Sequence, residues 1–194
     1  MAKETVWDRQ RAAVRSEIVG TALEMFLTDG FDETPIDRIV EAVGVSRRTF
    51  FRYFGTKEDI VLGDLVSRGR VIAGELADRP AGEGPWEALR AALHASRETT
   101  VPDMDAALAL GKMLFDTPTL RARLMEKRLR WQEMFVPLLA ARMDGPAERA
   151  TLRATAIVAA ALACLDTASE AWIESDGAGD LAELYDEAVT AVRG

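Results

Sequence analysis

From Ala42 to Phe54 the residues AVGVSRRTFFRYF leave the backbone few options. Glycine takes the left-handed conformation without steric strain, so a helix entering Gly44 can end there. Ser46, two residues on, is a favoured N-cap and would start a new helix at once. Val45 lies between them, sized to plug the angle of two helices meeting steeply. Two short helices joined by a turn of three or four residues make a helix-turn-helix. In the second helix Phe50 and Phe54, with Phe51 beside them, form an apolar back, and Arg47, Arg48, Thr49 and Arg52 form the front or flank.

The rest of the chain keeps the helical period, and no stretch alternates in the manner of a strand. A first helix is expected over 8–29, burying Ile18, Ala22, Leu23, Phe26 and Leu27 and stopping at Gly30. Thr34 reads as the N-cap of the second helix, with Pro35 at its first position and Asp37 close to a capping box. Ile36, Ile39, Val40 and Val43 give that helix its inner face. Thr56 reads as the cap of a fourth helix running to residue 77 and carrying Gly63, Gly69 and Gly74, each of which lowers its intrinsic stability. Residues 78–85, DRPAGEGP, form the clearest loop. Helices are expected thereafter over 86–99, 103–116, 118–143, 146–175 and 180–192. The expected fold is all-α with about nine helices: a three-helix helix-turn-helix head at 1–56 and a larger helical-bundle body at 57–194.

Charge is unevenly divided. The net charge is −8, yet residues 1–57 hold nine Lys/Arg and nine Asp/Glu, so the remaining 15 and 23 place the whole excess in the body. Between Gly44 and Lys57 stand four cations (Arg47, Arg48, Arg52, Lys57) and no carboxylate. Such a strip on an acidic chain points to a polyanionic partner. The polar start MAKETVWDRQ gives no sign of a signal peptide, and the longest apolar run, 156–165, falls short of the ~20 residues that span a bilayer. A single cysteine, Cys164, excludes an intrachain disulfide and fits a cytoplasmic location. One histidine, one cysteine and the lack of a phosphate loop or nucleophile elbow give no catalytic residue, metal or cofactor to expect.

Double-stranded DNA is the polyanion that suits this strip. Arginine reads guanine in the major groove through paired hydrogen bonds, each good pair discriminating by ~1–3 kcal/mol. Thr49 could touch a thymine methyl, while Tyr53, Lys57 and the free N–H groups opening the fourth helix could meet phosphate. Arg9, Arg11 and Arg15 on or near the first helix could reach the DNA backbone or minor groove.

Residues 15–60, including GTALEMFLTDGFDETPIDRIVEAVGVSRRTFFRYFGTKEDI, resemble the DNA-binding head of the TetR (tetracycline-repressor-like) family of bacterial regulators. The matching positions are Gly30-Phe31, Ile39-Val40, Gly44-Val45-Ser46, Thr49, Phe54 and Lys57. The resemblance implies DNA contact by Thr34, Ser46, Arg47, Arg48, Thr49, Arg52, Tyr53 and Lys57. Pro35 stands where the family usually has a threonine whose hydroxyl helps bind phosphate, and Thr34 could replace it. Phe51 replaces a common tyrosine, Tyr53 stands where histidine or tyrosine is usual, and Arg48 often corresponds to a small residue.

The resemblance also implies a homodimer on a palindromic operator, with the last two helices packing against their copies. Ile157, Ala161, Leu165, Ala168 and Trp172 form one stripe, and Leu181, Leu184, Tyr185, Ala188 and Val192 another. The other reading of these stripes is intrachain core. A pocket for an unknown small-molecule effector is expected among Trp86, Leu89, His94, Leu108, Met113, Phe115, Trp131, Met134 and Phe135, with Arg97, Lys112, Arg128 and Asp166 as polar candidates. Each of these is alternatively a packed or solvated structural residue. Effector binding would tilt the fourth helix and change the spacing of the two recognition helices. The family base rate favours a repressor, and SRRTFFRYF looks like a group whose ligands are acyl-type or otherwise apolar. The alternative is a ligand-binding or interaction protein whose head serves an activator or no longer binds DNA.

Overall fold

The computed structural model describes residues 5–63, 65–98 and 104–194, all helix and connecting loop with no strand among them. The helices are α1 (Val6–Asp29), α2 (Ile36–Val43), α3 (Arg47–Tyr53), α4 (Glu58–Val61), α5 (Leu65–Asp78), α6 (Pro85–Glu98), α7 (Met104–Asp116), α8 (Pro118–Ala140), α9 (Ala147–Glu174) and α10 (Leu181–Arg193). The ends expected at residues 99 and 103 lie outside the described residues.

Local chemistry sets most boundaries. Gly44 ends α2 in the left-handed conformation, at φ 75° and ψ 28°. Its N–H reaches Glu41 O, and the Val45 N–H reaches Val40 O at 2.9 Å, which closes the open carbonyls of α2. Three expectations fail. Thr56 does not cap α4, whose N-cap position is Lys57 with no side-chain bond. Thr34 caps nothing: Pro35 holds the N-cap position, and the Thr34 hydroxyl donates to Gly30 O at 2.8 Å. The fourth helix is not continuous: Gly63 takes φ +55°, a value no right-handed helix contains, so the chain breaks between α4 and α5.

The head packs α1, α2 and α3 around Ile18, Ala22, Phe26, Phe31, Ile39, Phe50 and Phe54. Ile60 of α4 and Leu120 of α8 complete the same cluster, so head and body share a core at this joint. A polar tie lies beside it: Lys127 Nζ donates to Asp59 Oδ1 at 2.8 Å, both side chains being mostly buried.

In the body, α9 is central and packs on α6, α7, α8 and α10. Its Ala154, Val158, Ala161, Leu162, Cys164 and Ala168 meet Trp131, Phe135 and Leu139 of α8, Leu89 and Leu93 of α6, and Tyr185 and Val189 of α10. At Gly69 a Cβ would come within 2.5 Å of the Trp131 ring, so this glycine lets α5 lie directly on α8. Arg142 closes the C-terminal end of α5 by donating to Leu76 O, Arg79 O and Pro80 O at 2.7–2.8 Å. The apolar helix α7 contrasts with the rest, since none of its residues is fully buried.

Candidate nucleic-acid interface

The recognition surface is built on α3. The Ser46 hydroxyl accepts the Thr49 N–H at 3.0 Å and lies 2.9 Å from the Thr49 hydroxyl, fixing the first turn. Phe50 and Phe54 are buried with ring centres 5.5 Å apart, and they pin the apolar side of α3 to the head core. That burial turns the opposite side outward. Arg47, Arg48 and Arg52 are all exposed.

Each guanidinium is available. Arg47 pairs with Asp37 at 3.1 Å, but both side chains are more than half exposed, so the pair is worth ~0–1 kcal/mol and would readily give way to phosphate or guanine. Arg48 makes no ion pair or hydrogen bond with any described residue. Arg52 lies 5.3 Å from the Tyr53 ring, which is itself half-buried on the head core. Arg15 of α1 lies 5.3 Å from the Phe54 ring, while Arg9 and Arg11 are exposed farther along α1. Phe51 stands 47% exposed in the same arc, held edge-on to Phe50 at 5.4 Å.

Two expected phosphate contacts turn inward instead. Thr34 is fully buried and its hydroxyl is used by Gly30 O, so it offers no group to phosphate. Lys57 Nζ donates to Phe31 O at 2.6 Å and Thr34 O at 3.2 Å, and sits 4.1 Å from the Phe31 ring centre. It locks the α1–α2 turn rather than reaching outward. Just ahead of α4, Asp59 Oδ2 accepts the Thr56 N–H at 3.0 Å. Burial pushes the Asp59 carboxyl up, but Lys127 and the Thr56 N–H outweigh it and hold the group below its ordinary range.

Residues 18–63 match the family model of bacterial regulatory proteins of the tetR family, and residues 83–194 match the MftR C-terminal domain. The chain belongs to the TetR family of transcriptional regulators. It is similar to the HTH-type transcriptional regulator TcmR of Streptomyces glaucescens, at 33% identity over 69% of this chain and 62% of that protein, so it spans less than two thirds of TcmR. It is 30% identical to the putative mycofactocin biosynthesis transcriptional regulator MftR of Mycobacterium tuberculosis, over 75% of this chain and 73% of that protein. Among solved structures, Thermus thermophilus FadR, a TetR-family repressor in complex with lauroyl-CoA, superposes with a TM-score of 0.53 at 26% identity, covering 91% of each chain. This TetR-family chain is therefore a DNA-binding transcriptional regulator, and its family is not an enzyme class.

The TetR body places the remaining expected residues in several settings. Ala161, Ala168, Trp172 and Tyr185 are buried within the single chain, so they serve its own packing and cannot face a second copy. Ile157, Leu165, Leu181, Leu184 and Ala188 are half-buried at the edge of that core. Of the expected pocket residues, Leu89, Trp131 and Phe135 are core, and Met134 packs beside them. Met113 packs on the head cluster, and Leu108 lies near Gly177. Phe115 lies under Arg121 and Trp86 under Arg193, at 5.6 and 5.7 Å. His94 meets Tyr185 edge-on at 5.7 Å, with Asp186 3.8 Å from its Nε2. Lys112 pairs with Asp176, and the Arg97 side chain lies outside the described residues. A groove of about 500 Å³ lined by Ala77, Arg79, Pro137, Leu138 and Met143 contains none of them.

Proposed function

We propose that this regulator is a repressor that binds a palindromic operator as a homodimer and is released when a small apolar ligand enters the body. Residues 1–56 would read DNA, and residues 57–194 would hold the ligand and the partner copy. The observation that carries the reading is the outward arc of Arg47, Arg48 and Arg52, held rigid by a Ser46 cap and two buried phenylalanines, on a chain of net charge −8. One short helix covers too little DNA to select a site alone, so two copies reading half-sites about one helical turn apart supply the selectivity. Work on DNA places the protein in the cytoplasm.

The partner face supported here is shifted around α9 from the stripe read in the sequence. Leu152 is 70% exposed, Ala156 and Ala163 are exposed on the same helix, and Val192 is 57% exposed on α10. By length and composition alone α9 is apolar enough to cross a membrane. Under this reading it is apolar because its own chain covers one side and a second copy covers the other. Burying a leucine fully contributes ~1.5–3 kcal/mol.

The ligand class follows from two supports. The similar FadR carries lauroyl-CoA. In this chain Leu108, Leu110, Met113, Leu114 and Phe115 leave α7 half-buried, a wall that can yield to an apolar chain. Movement at α8 would reach the head through Lys127 and Asp59. The test is a mobility shift on duplex from the chain's own upstream region. Binding should weaken steeply with salt, and lauroyl-CoA should release the DNA. Binding that is indifferent to salt, or no binding, contradicts the proposal.

A further inference from the structure

One charged cluster in the body is not used by the DNA-reading surface. Arg128 of α8 and Asp166 of α9 keep only 14% and 22% of their side chains exposed, and Arg128 Nη2 donates to Asp166 Oδ1 at 2.9 Å. A guanidinium carries five N–H donors. Here Nε and Nη1 are shut off from solvent and meet no acceptor among the described residues. The guanidinium lies 4.5 Å from the Trp131 ring centre, and Arg68 of α5 acts on it as a second cation. Arg121 and Glu170, which also act on Asp166, pair with each other at 2.5 Å. Among the described residues three guanidiniums thus meet two carboxylates, leaving one positive charge over. Burial, outweighing the pull of Arg128, raises the Asp166 carboxyl above its ordinary range.

We propose that Arg128 and Arg68 bind the carboxylate of a free fatty-acid effector whose apolar chain lies among α7, α8 and α9. The inference rests on the ligand-released reading above and names the polar end that the site selects. A carboxylate matches the single surplus charge and the open N–H donors. A phosphate monoester, at about −1.5 to −2, would over-neutralise the cluster.

The position also suggests how the site reports to the head. Lys127, the next residue on α8, holds Asp59 of α4. Gly69, the residue after Arg68, lies against Trp131 and Met134, so the first part of α5 already rests on α8 at this level. A carboxylate between the two guanidiniums cancels their repulsion and draws α5 toward α8. The break at Gly63 lets α5 shift while α4 stays tied to Lys127. Only the difference in ligand affinity between the two arrangements drives the change.

The test titrates the full-length protein with dodecanoate and with dodecan-1-ol by calorimetry, and follows operator release with the same two compounds and with lauroyl-CoA. Dodecanoate should bind about ten-fold or more tightly than the alcohol and should release DNA. Arg68→Gln, at an exposed position, should weaken the acid about three-fold or more without changing the alcohol. Arg128→Met combined with Asp166→Leu leaves no lone buried charge and should cut the acid preference to the roughly three-fold that Arg68 alone supplies. Equal binding of acid and alcohol by the unaltered protein overturns the carboxylate assignment, as does an acid preference undiminished by the double substitution. Release by lauroyl-CoA without release by dodecanoate also overturns it and leaves the ligand-released reading standing. Binding and release by none of the three removes both.

Discussion

Lys127→Met should uncouple the joint between head and body, and its cost can be worked from the structure. Lys127 and Asp59 lie 2.8 Å apart with 13% and 20% of their side chains exposed. At an effective dielectric of about 20, unit charges ~4 Å apart attract by ~4 kcal/mol. Desolvation offsets part of that, but it has already been incurred for Asp59 and remains when the ammonium is gone. Removing one member of a buried pair costs ~3–5 kcal/mol, and the residual exposure here places the expected loss at about 2–3 kcal/mol.

The pH dependence fixes the cause. Folding holds the Asp59 carboxyl below its ordinary value of 3.8. A carboxyl depressed in this way stabilises the fold above its unfolded pKa, and that contribution is lost as pH falls through the folded one. In the unaltered protein the contribution is complete at pH 7 and declines only below about pH 4. In Lys127→Met, burial is left opposed chiefly by the Thr56 N–H, the shift turns upward, and the sign reverses. The variant should therefore recover stability as pH falls from 7 to about 4, where the unaltered protein recovers none. Urea unfolding at both pH values reads this directly, and adding Asp59→Leu to Lys127→Met should restore most of the loss. A single-variant loss below about 0.5 kcal/mol, equal at both pH values, would refute the buried tie.

Three glycines separate three physical effects in thermal melts. Gly63→Ala should lose ~1 kcal/mol to its left-handed backbone, and Gly69→Ala ~1–3 kcal/mol to the Trp131 clash. Gly74→Ala, which meets nothing within 4 Å, should gain ~0.5–1 kcal/mol. Leu152→Glu should shift sedimentation from dimer to monomer while each chain keeps its helical circular dichroism. Lys57→Met should lower stability by ~1–3 kcal/mol through the carbonyls it leaves unpaired, with the salt dependence of DNA binding little changed.

The head was legible because its rules are local. Gly44, Ser46 and the phenylalanine spacing each fix a backbone or a face within a few residues. Lys57 and Thr34 misled because their partners, Phe31 O and Gly30 O, come within reach only after α1 and α2 pack. Gly63 misled for a different reason: a glycine inside a helical pattern is compatible with either sign of φ. On α9 the sequence leaves the outward stripe open, since an alanine-rich helix has no strongly polar side to mark which stripe faces out. In the body, large apolar residues such as Leu89 and Phe135 look alike in sequence whether they line a pocket or fill a core. The Arg128–Asp166 pair joins two helices 38 residues apart, a separation that no sequence spacing reveals.

The central claim is that the exposed guanidiniums of α3 read the operator. Its most direct test is the operator affinity of Arg47→Ala combined with Arg48→Ala, measured beside the unaltered protein at one fixed salt concentration, with sedimentation confirming that both are dimers. Two lost base contacts at ~1–3 kcal/mol each predict that binding to the operator falls to the level of unrelated duplex. A dimer of that variant still preferring its operator to the same degree would contradict the account.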